Sequence, residues 1–158
     1  MGNKSLEAKG LRLVVAHINS VQQHMANAIA QLLTRMVNHD QTKYLPDELD
    51  LVLGKPYLDT LEYNTDEYRD GLAKVQHAID VHYSSNSHHP EHFAEGIQDM
   101  SLLSLLEMAC DWKAAADAHN STYLESINRN VGRFGLSIEM QYILQNTGRE
   151  LGWIKSGE

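Results

Sequence analysis

From Leu11 to Val37 the apolar residues Val14, Ile18, Val21, Met25, Ile29, Leu32 and Met36 recur at steps of three or four. That spacing places side chains on one face of an α-helix, so 11–37 is predicted to be one long amphipathic helix. No segment elsewhere in the 158 residues alternates as a strand would. The remainder is punctuated by three prolines, Pro46, Pro56 and Pro90, each at a break between periodic segments. Pro46 suits the first turn of a short helix ending before Gly54. Residues 55–65 read as loop, and Asp66 to His82 as a helix carrying Tyr68, Leu72, Val75, Ile79 and Val81. The segment SSNSHHPE is a turn by composition, with Pro90 opening a brief helix through Glu95. Ser101 can cap a strongly apolar helix, LLSLLEMACDWKAAADAH. Helical stretches near 122–133 and 137–147 follow, the second capped by Ser137 after Gly135. The expectation is all-α, a single domain over 1–158 of six to seven helices with its core in 10–147, and less order at 1–9 and 149–158.

Charge and composition narrow the function. Thirteen Lys and Arg stand against 21 Asp and Glu, a formal net charge of −8. That balance argues against duplex nucleic acid, whose phosphates need clustered cations. A single cysteine excludes an intramolecular disulfide. Cys110, in an apolar helix with no activating neighbour, reads as a small buried residue. The opening MGNKSLEAKG has no apolar core, and no apolar run is long enough to span a bilayer, so neither a signal peptide nor a membrane span is expected. Nine histidines are present, and His77, His82, His88, His89 and His92 fall close together.

Three elements carry chemistry. The doublet His39-Asp40 continues the stripe of the first helix, so it is expected towards the core; it offers a nitrogen and an oxygen ligand, or serves as a surface pair. His17 flanks the same stripe and His24 lies seven residues beyond it. Glu107 and Asp111 share a helical face and interrupt an apolar helix. Carboxylates there need a partner, a metal or a solvent-side cation such as Lys113. The tract HYSSNSHHPEH suggests metal ligation, with solvated histidines as the alternative. His77 and His119 read as ordinary helix-surface residues.

The order His17, His39-Asp40, His82, His88-His89, Asp111 resembles the signature of the HD-domain superfamily of metal-dependent phosphohydrolases, which are all-α. The segments HDQTKYLPDE, HYSSNSHHPEHF and MSLLSLLEMACDWKAA further resemble an uncharacterised bacterial and phage family within or near that group. The matching positions are His17; His39, Asp40, Thr42, Lys43 and Glu48; His82, Asn86, His88, His89, Pro90, Glu91 and His92; and Glu107, Met108, Asp111 and Trp112.

This resemblance implies one or two divalent ions (Mn, Fe, Mg, Co or Zn) held by His17, His39, Asp40 and Asp111, with His82, His88 and His89 for a second ion and Asp40 shared between them. The reaction implied is hydrolysis of a nucleotide or other small phosphorylated metabolite in the cytoplasm, by a chain that pairs as a homodimer. Asp40, Lys43 and Glu107 are the catalytic candidates. Lys43, three residues after the doublet, is given the phosphate, and Glu107, one turn before Asp111, orients a histidine or moves a proton. Asn86 would fix the His88-His89 turn, and Arg35, Arg129 and Arg133 are candidates for further phosphate contacts or else surface residues. Tyr44 and Tyr83 lie beside the site, while Trp112, Tyr123, Phe134 and Tyr142 are expected in the core or an interface. The same order also resembles di-iron oxygenases of the HD scaffold, and a purely structural metal in a partner-binding domain is a third reading.

Overall fold

A computed structural model describes residues 2–62 and 65–155. Tyr63, Asn64 and residues 156–158, parts of the expected loop and of the expected loose terminus, lie outside the described residues. The fold is all-α: helices α1 (Gly2–Asn38), α2 (Leu49–Leu58), α3 (Asp66–Ser85), α4 (Leu102–Ala118), α5 (Tyr123–Phe134) and α6 (Ile138–Glu150), with four short 3-10 helices between them. Among the described residues there is no strand. The chain divides into two units, Met1–His39 and Asp40–Glu158.

The first unit is α1 alone. It is uninterrupted and begins at Gly2, well before Leu11. The apolar stripe is in helical register, yet Val14 is 55% and Met36 66% exposed. A lone helix has no second element of its own against which to bury a face. The helix stops at Asn38, whose Nδ2 donates to the Thr34 carbonyl at 2.9 Å. Asp40 then adopts φ 56°, a left-handed conformation that Asp tolerates better than most residues. The doublet therefore sits in a turn rather than on an extension of the helical stripe, and the 3-10 helix Gln41–Tyr44 follows.

In the second unit α2 runs through Gly54 and Pro56, where the sequence predicts a stop. Packing on α3 outweighs the missing proline N–H. A Cβ on Gly54 would lie 2.7 Å from Val75 Cγ1, and one on Gly71 would lie 2.7 Å from Leu58 Cδ2. The two glycines thus let the helices approach closely. The buried face of α3 is Gly71, Val75, Ala78 and His82, stepping by four, three and four; of the residues the periodicity favours, Val75 is buried, while Leu72, Ile79 and Val81 are only partly so. Small side chains at 71 and 78 bring that face against α2, and the stripe delivers His82 inward.

Helices α4, α5 and α6 enclose the apolar core, built on Met108, Trp112, Tyr123, Ile127, Leu144 and Ile154. Ser101 and Ser137 cap α4 and α6 as expected, each side chain accepting from the N–H three residues on. Thr122 and Glu125 form a reciprocal capping box on α5. Ile154 falls in the terminus expected to be loose, but it is buried, and Trp153 meets the Tyr123 ring edge-on at 5.1 Å. Cys110 is exposed rather than buried, on the side of α4 away from Met108 and Ala109, and Tyr142 is also exposed.

Candidate metal centre

The end of α3, the turn after it and the 3-10 segment after Asp40 build one cluster, entirely within the second unit. Asp40, His82, His88 and His89 each present a ligand atom, all within 4.8 Å of one another. The His82 and His89 Nε2 atoms are 2.9 Å apart. Asp40 Oδ1 lies 3.5 Å from His82 Nε2 and 3.4 Å from His88 Nε2. The last two separations are long for hydrogen bonds. They suit atoms sharing one ion: ligands at about 2.0–2.1 Å lie about 2.9 Å apart at a right angle and about 3.4 Å apart at the tetrahedral angle. Three imidazoles with one carboxylate suit Zn, Fe, Co or Mn better than Mg, which takes oxygen ligands. The donor set fits a divalent metal.

Behind these donors stands a second layer of carboxylates. Glu48, only 1% exposed, places Oε2 2.8 Å from His82 Nδ1. When Nδ1–H donates to that carboxylate, the tautomer is fixed with the Nε2 lone pair facing the cluster. Glu107 Oε1 stands 3.4 Å from His88 Nδ1, the position of a histidine-orienting group. Asn86 Nδ2 donates to the His82 carbonyl at 2.8 Å and to Thr42 Oγ1 at 2.9 Å, tying the turn to both neighbouring segments. Lys43 Nζ donates to Asp40 Oδ2, so its charge positions Asp40 in this arrangement. Glu48 is the residue that reasoning on ligand types passes over; its only signal is its place in the motif beginning at His39.

Asp40 and His88 also stand with Asp111 in a second group of potential ligand atoms. One carboxylate can serve two ions, whereas one imidazole nitrogen serves one, so Asp40 is the residue two ions could share. His39, the last residue of the first unit, precedes Asp40 by one peptide bond. His17 is not brought to His39. It is exposed on the same continuous helix, twenty-two positions earlier, about 33 Å along the axis at 1.5 Å per residue. One chain cannot place both on a single ion while α1 is unbroken. His24, His77, His92 and His119 are exposed, and His92 Nδ1 is engaged 2.6 Å from the Ser84 carbonyl. Lys113 pairs with Asp117 and not with Glu107 or Asp111.

Burial, then the neighbouring His88 and His82 imidazoles, lower the His89 pKa from 6.5 to about 3. The ring is thereby kept neutral and ready to ligate. In the unfolded chain His89 takes a proton near 6.5, which the folded metal-free chain refuses until about 3. As pH falls through that window the unfolded state binds more protons, so metal-free stability is lost; above it this group has no effect. Thermal melts of chelator-treated protein should show that slope, diminished in His89→Gln. Identical slopes in the two proteins would remove His89 as its source.

A cavity of about 340 Å³ opens beside the cluster, lined by Tyr83, His89, Asp111, Trp112, Ala115, Ser126, Arg129, Asn130, Arg133 and Phe134. A larger cavity of about 820 Å³, bordered by Phe93, Ile97, Met100, Leu105 and Met140, contains none of the cluster's ligands. Cys110 is exposed, yet its thiol is partly desolvated and is raised above its usual pKa by that desolvation and by Glu107 and Asp111, so it is no activated nucleophile. Among the described residues no helix is long and apolar enough to cross a membrane.

A family model described as a family of unknown function, DUF5662, matches residues 6–150. No curated protein and no solved structure matches the chain.

Proposed function

We propose that this chain, which belongs to the family of unknown function DUF5662, is a metal-dependent phosphohydrolase acting on a nucleotide or another small phosphorylated metabolite. The observation that carries this reading is the convergence of Asp40 with three imidazoles, two of them backed by Glu48 and Glu107. Asp40, His82, His88 and His89 would hold one divalent ion, and Asp111 would serve a second with Asp40. The resemblance adds His39 through its adjacency to Asp40. A divalent ion there would acidify a water and polarise a phosphoryl oxygen. Glu48 holds the His82 ring with its Nε2 atom inward, Glu107 stands behind His88 where it would orient that ring, and Lys43 holds Asp40.

Metal analysis of the purified chain, then a screen of nucleotides and sugar phosphates with Mn²⁺, Co²⁺, Fe²⁺, Zn²⁺ and Mg²⁺, tests the proposal. The expected result is bound transition metal and metal-dependent release of phosphate or a phosphorylated product. Bound iron with no phosphate turnover and strictly oxygen-dependent chemistry would overturn it in favour of an oxygenase. Tightly bound metal with no turnover of either kind would instead favour a structural metal.

A further inference from the structure

The lining of the cavity beside the cluster is of two chemical kinds. One is His89 and Asp111, both within the groups of potential metal ligands. The other is a face of α5, where Ser126, Arg129, Asn130 and Arg133 recur at steps of three, one and three. Trp112 and Phe134, stacked with centroids 6.0 Å apart and planes 10° from parallel, also line the cavity. Asp111 is the one carboxylate among the described lining residues, against two guanidinium groups. Two guanidinium groups thus line one cavity in a chain whose net charge is −8.

Arg133 is held in place before any ligand arrives. It donates to Glu91 Oε1 at 2.7 Å and to the Tyr83 hydroxyl at 3.2 Å. Its guanidinium also lies 4.7 Å from the centre of the Phe134 ring. These contacts engage one edge of a planar group with five donors, so N–H groups remain for a further acceptor. Arg129, one turn away, donates to Ser121 Oγ at 3.3 Å and is otherwise exposed. Paired arginines one turn apart on a helix can grip one anionic group between them.

We infer that the substrate carries a second, non-reacting anionic group that docks on Arg129 and Arg133 while its reacting phosphoryl group lies at His89 and Asp111. This rests on the hydrolase reading and narrows its substrate class to compact molecules with two anionic groups. The cavity volume, near the lower end of the range for ligand pockets, sets the same limit. The second anion is a phosphate or a carboxylate, either of which suits a guanidinium fork.

The test uses the full chain loaded with Co²⁺ and three non-hydrolysable probes: propylphosphonate with one anionic group, and phosphonopropionate and trimethylene bisphosphonate with two. Calorimetry should show both dianionic probes binding more tightly than propylphosphonate. Arg133→Gln should weaken the dianionic probes about tenfold or more, the worth of a hydrogen bond to a charged group, and leave propylphosphonate little changed. Arg129→Gln, at an exposed side chain, should shift the same way and checks the result should Arg133→Gln fold poorly. The dianionic probe with the larger advantage identifies the second group as carboxylate or phosphate. The cobalt visible spectrum and uptake should be the same in wild type and both variants. Equal affinity for all three probes in the cobalt-loaded wild type, or a uniform loss in the variants, overturns the inference while leaving the metal site standing. Absence of cobalt uptake by the wild type overturns the hydrolase reading and this inference with it.

Discussion

Asp40→Ala is expected to abolish metal uptake at micromolar metal and, with it, phosphate-ester turnover. Asp40 is the only carboxylate in the group with His82, His88 and His89. Without it, the Lys43 ammonium, now held by Asp40 Oδ2, would face three imidazoles with no negative charge among them. A cation entering that site would meet the ammonium directly, with the nearest carboxylates, Glu48 and Glu107, lying behind the imidazole rings. The loss should exceed the roughly 10- to 100-fold that removing a supporting partner costs a metal site. Backbone strain offers a rival explanation, since φ at position 40 is 56° and alanine tolerates that region poorly. Asp40→Gly relieves the strain without restoring a ligand, and Asp40→Asn keeps the turn with a weaker, neutral donor. Isothermal titration with Zn²⁺ should therefore rank wild type well above Asp40→Asn, with glycine and alanine both lowest. Restored binding in Asp40→Gly would show that geometry at the turn, and not the carboxylate, was what the alanine variant had lost.

Ligand chemistry in this chain is more legible than ligand placement. A tract with four histidines in eleven residues following a helix has no packing rationale, and His82, His88 and His89 do converge with Asp40. The adjacent Glu107 could be read as histidine-orienting because it lies one turn before Asp111 on a face that interrupts apolar residues, and it faces His88. Helix starts were equally readable, because Ser101 and Ser137 are short-range signals whose partners lie three residues away. Long-range consequences were not. Continuity of α1 separates His17 from His39, and periodicity cannot report where a helical stripe will be interrupted. On α3 periodicity finds Val75, but hydrophobic size favours Leu72 and Ile79 where close approach to α2 selects Gly71. Pro56 marked a helix end by local rules, yet packing of Leu58 and Gly54 on α3 carries α2 past it. Ile154 lies at an end that local rules read as loose, because terminal position says nothing of the space beside Tyr123 and Gly148 that it fills.

Glu48 is where a stability measurement and a metal titration should diverge. Its carboxylate is buried and 2.8 Å from His82 Nδ1, so Glu48→Ala strands a buried donor and leaves a void. Together these should cost about 2–4 kcal/mol in chemical denaturation of the metal-free chain. Glu48→Gln keeps an acceptor, its side-chain carbonyl, at the same reach, so most of that stability should remain. What the glutamine lacks is the negative charge that makes the opposite nitrogen of His82 a stronger ligand. Metal affinity in Glu48→Gln should accordingly fall about 10- to 100-fold with little change in the denaturation midpoint. A variant as stable as wild type that also bound metal as tightly would reduce Glu48 to a packing residue. Loss of stability and of affinity in strict proportion would say that the titration reports only unfolding. The expected split, affinity lost while the fold is kept, follows from Glu48 acting on the ion through His82, whose Nδ1 its carboxylate meets at 2.8 Å.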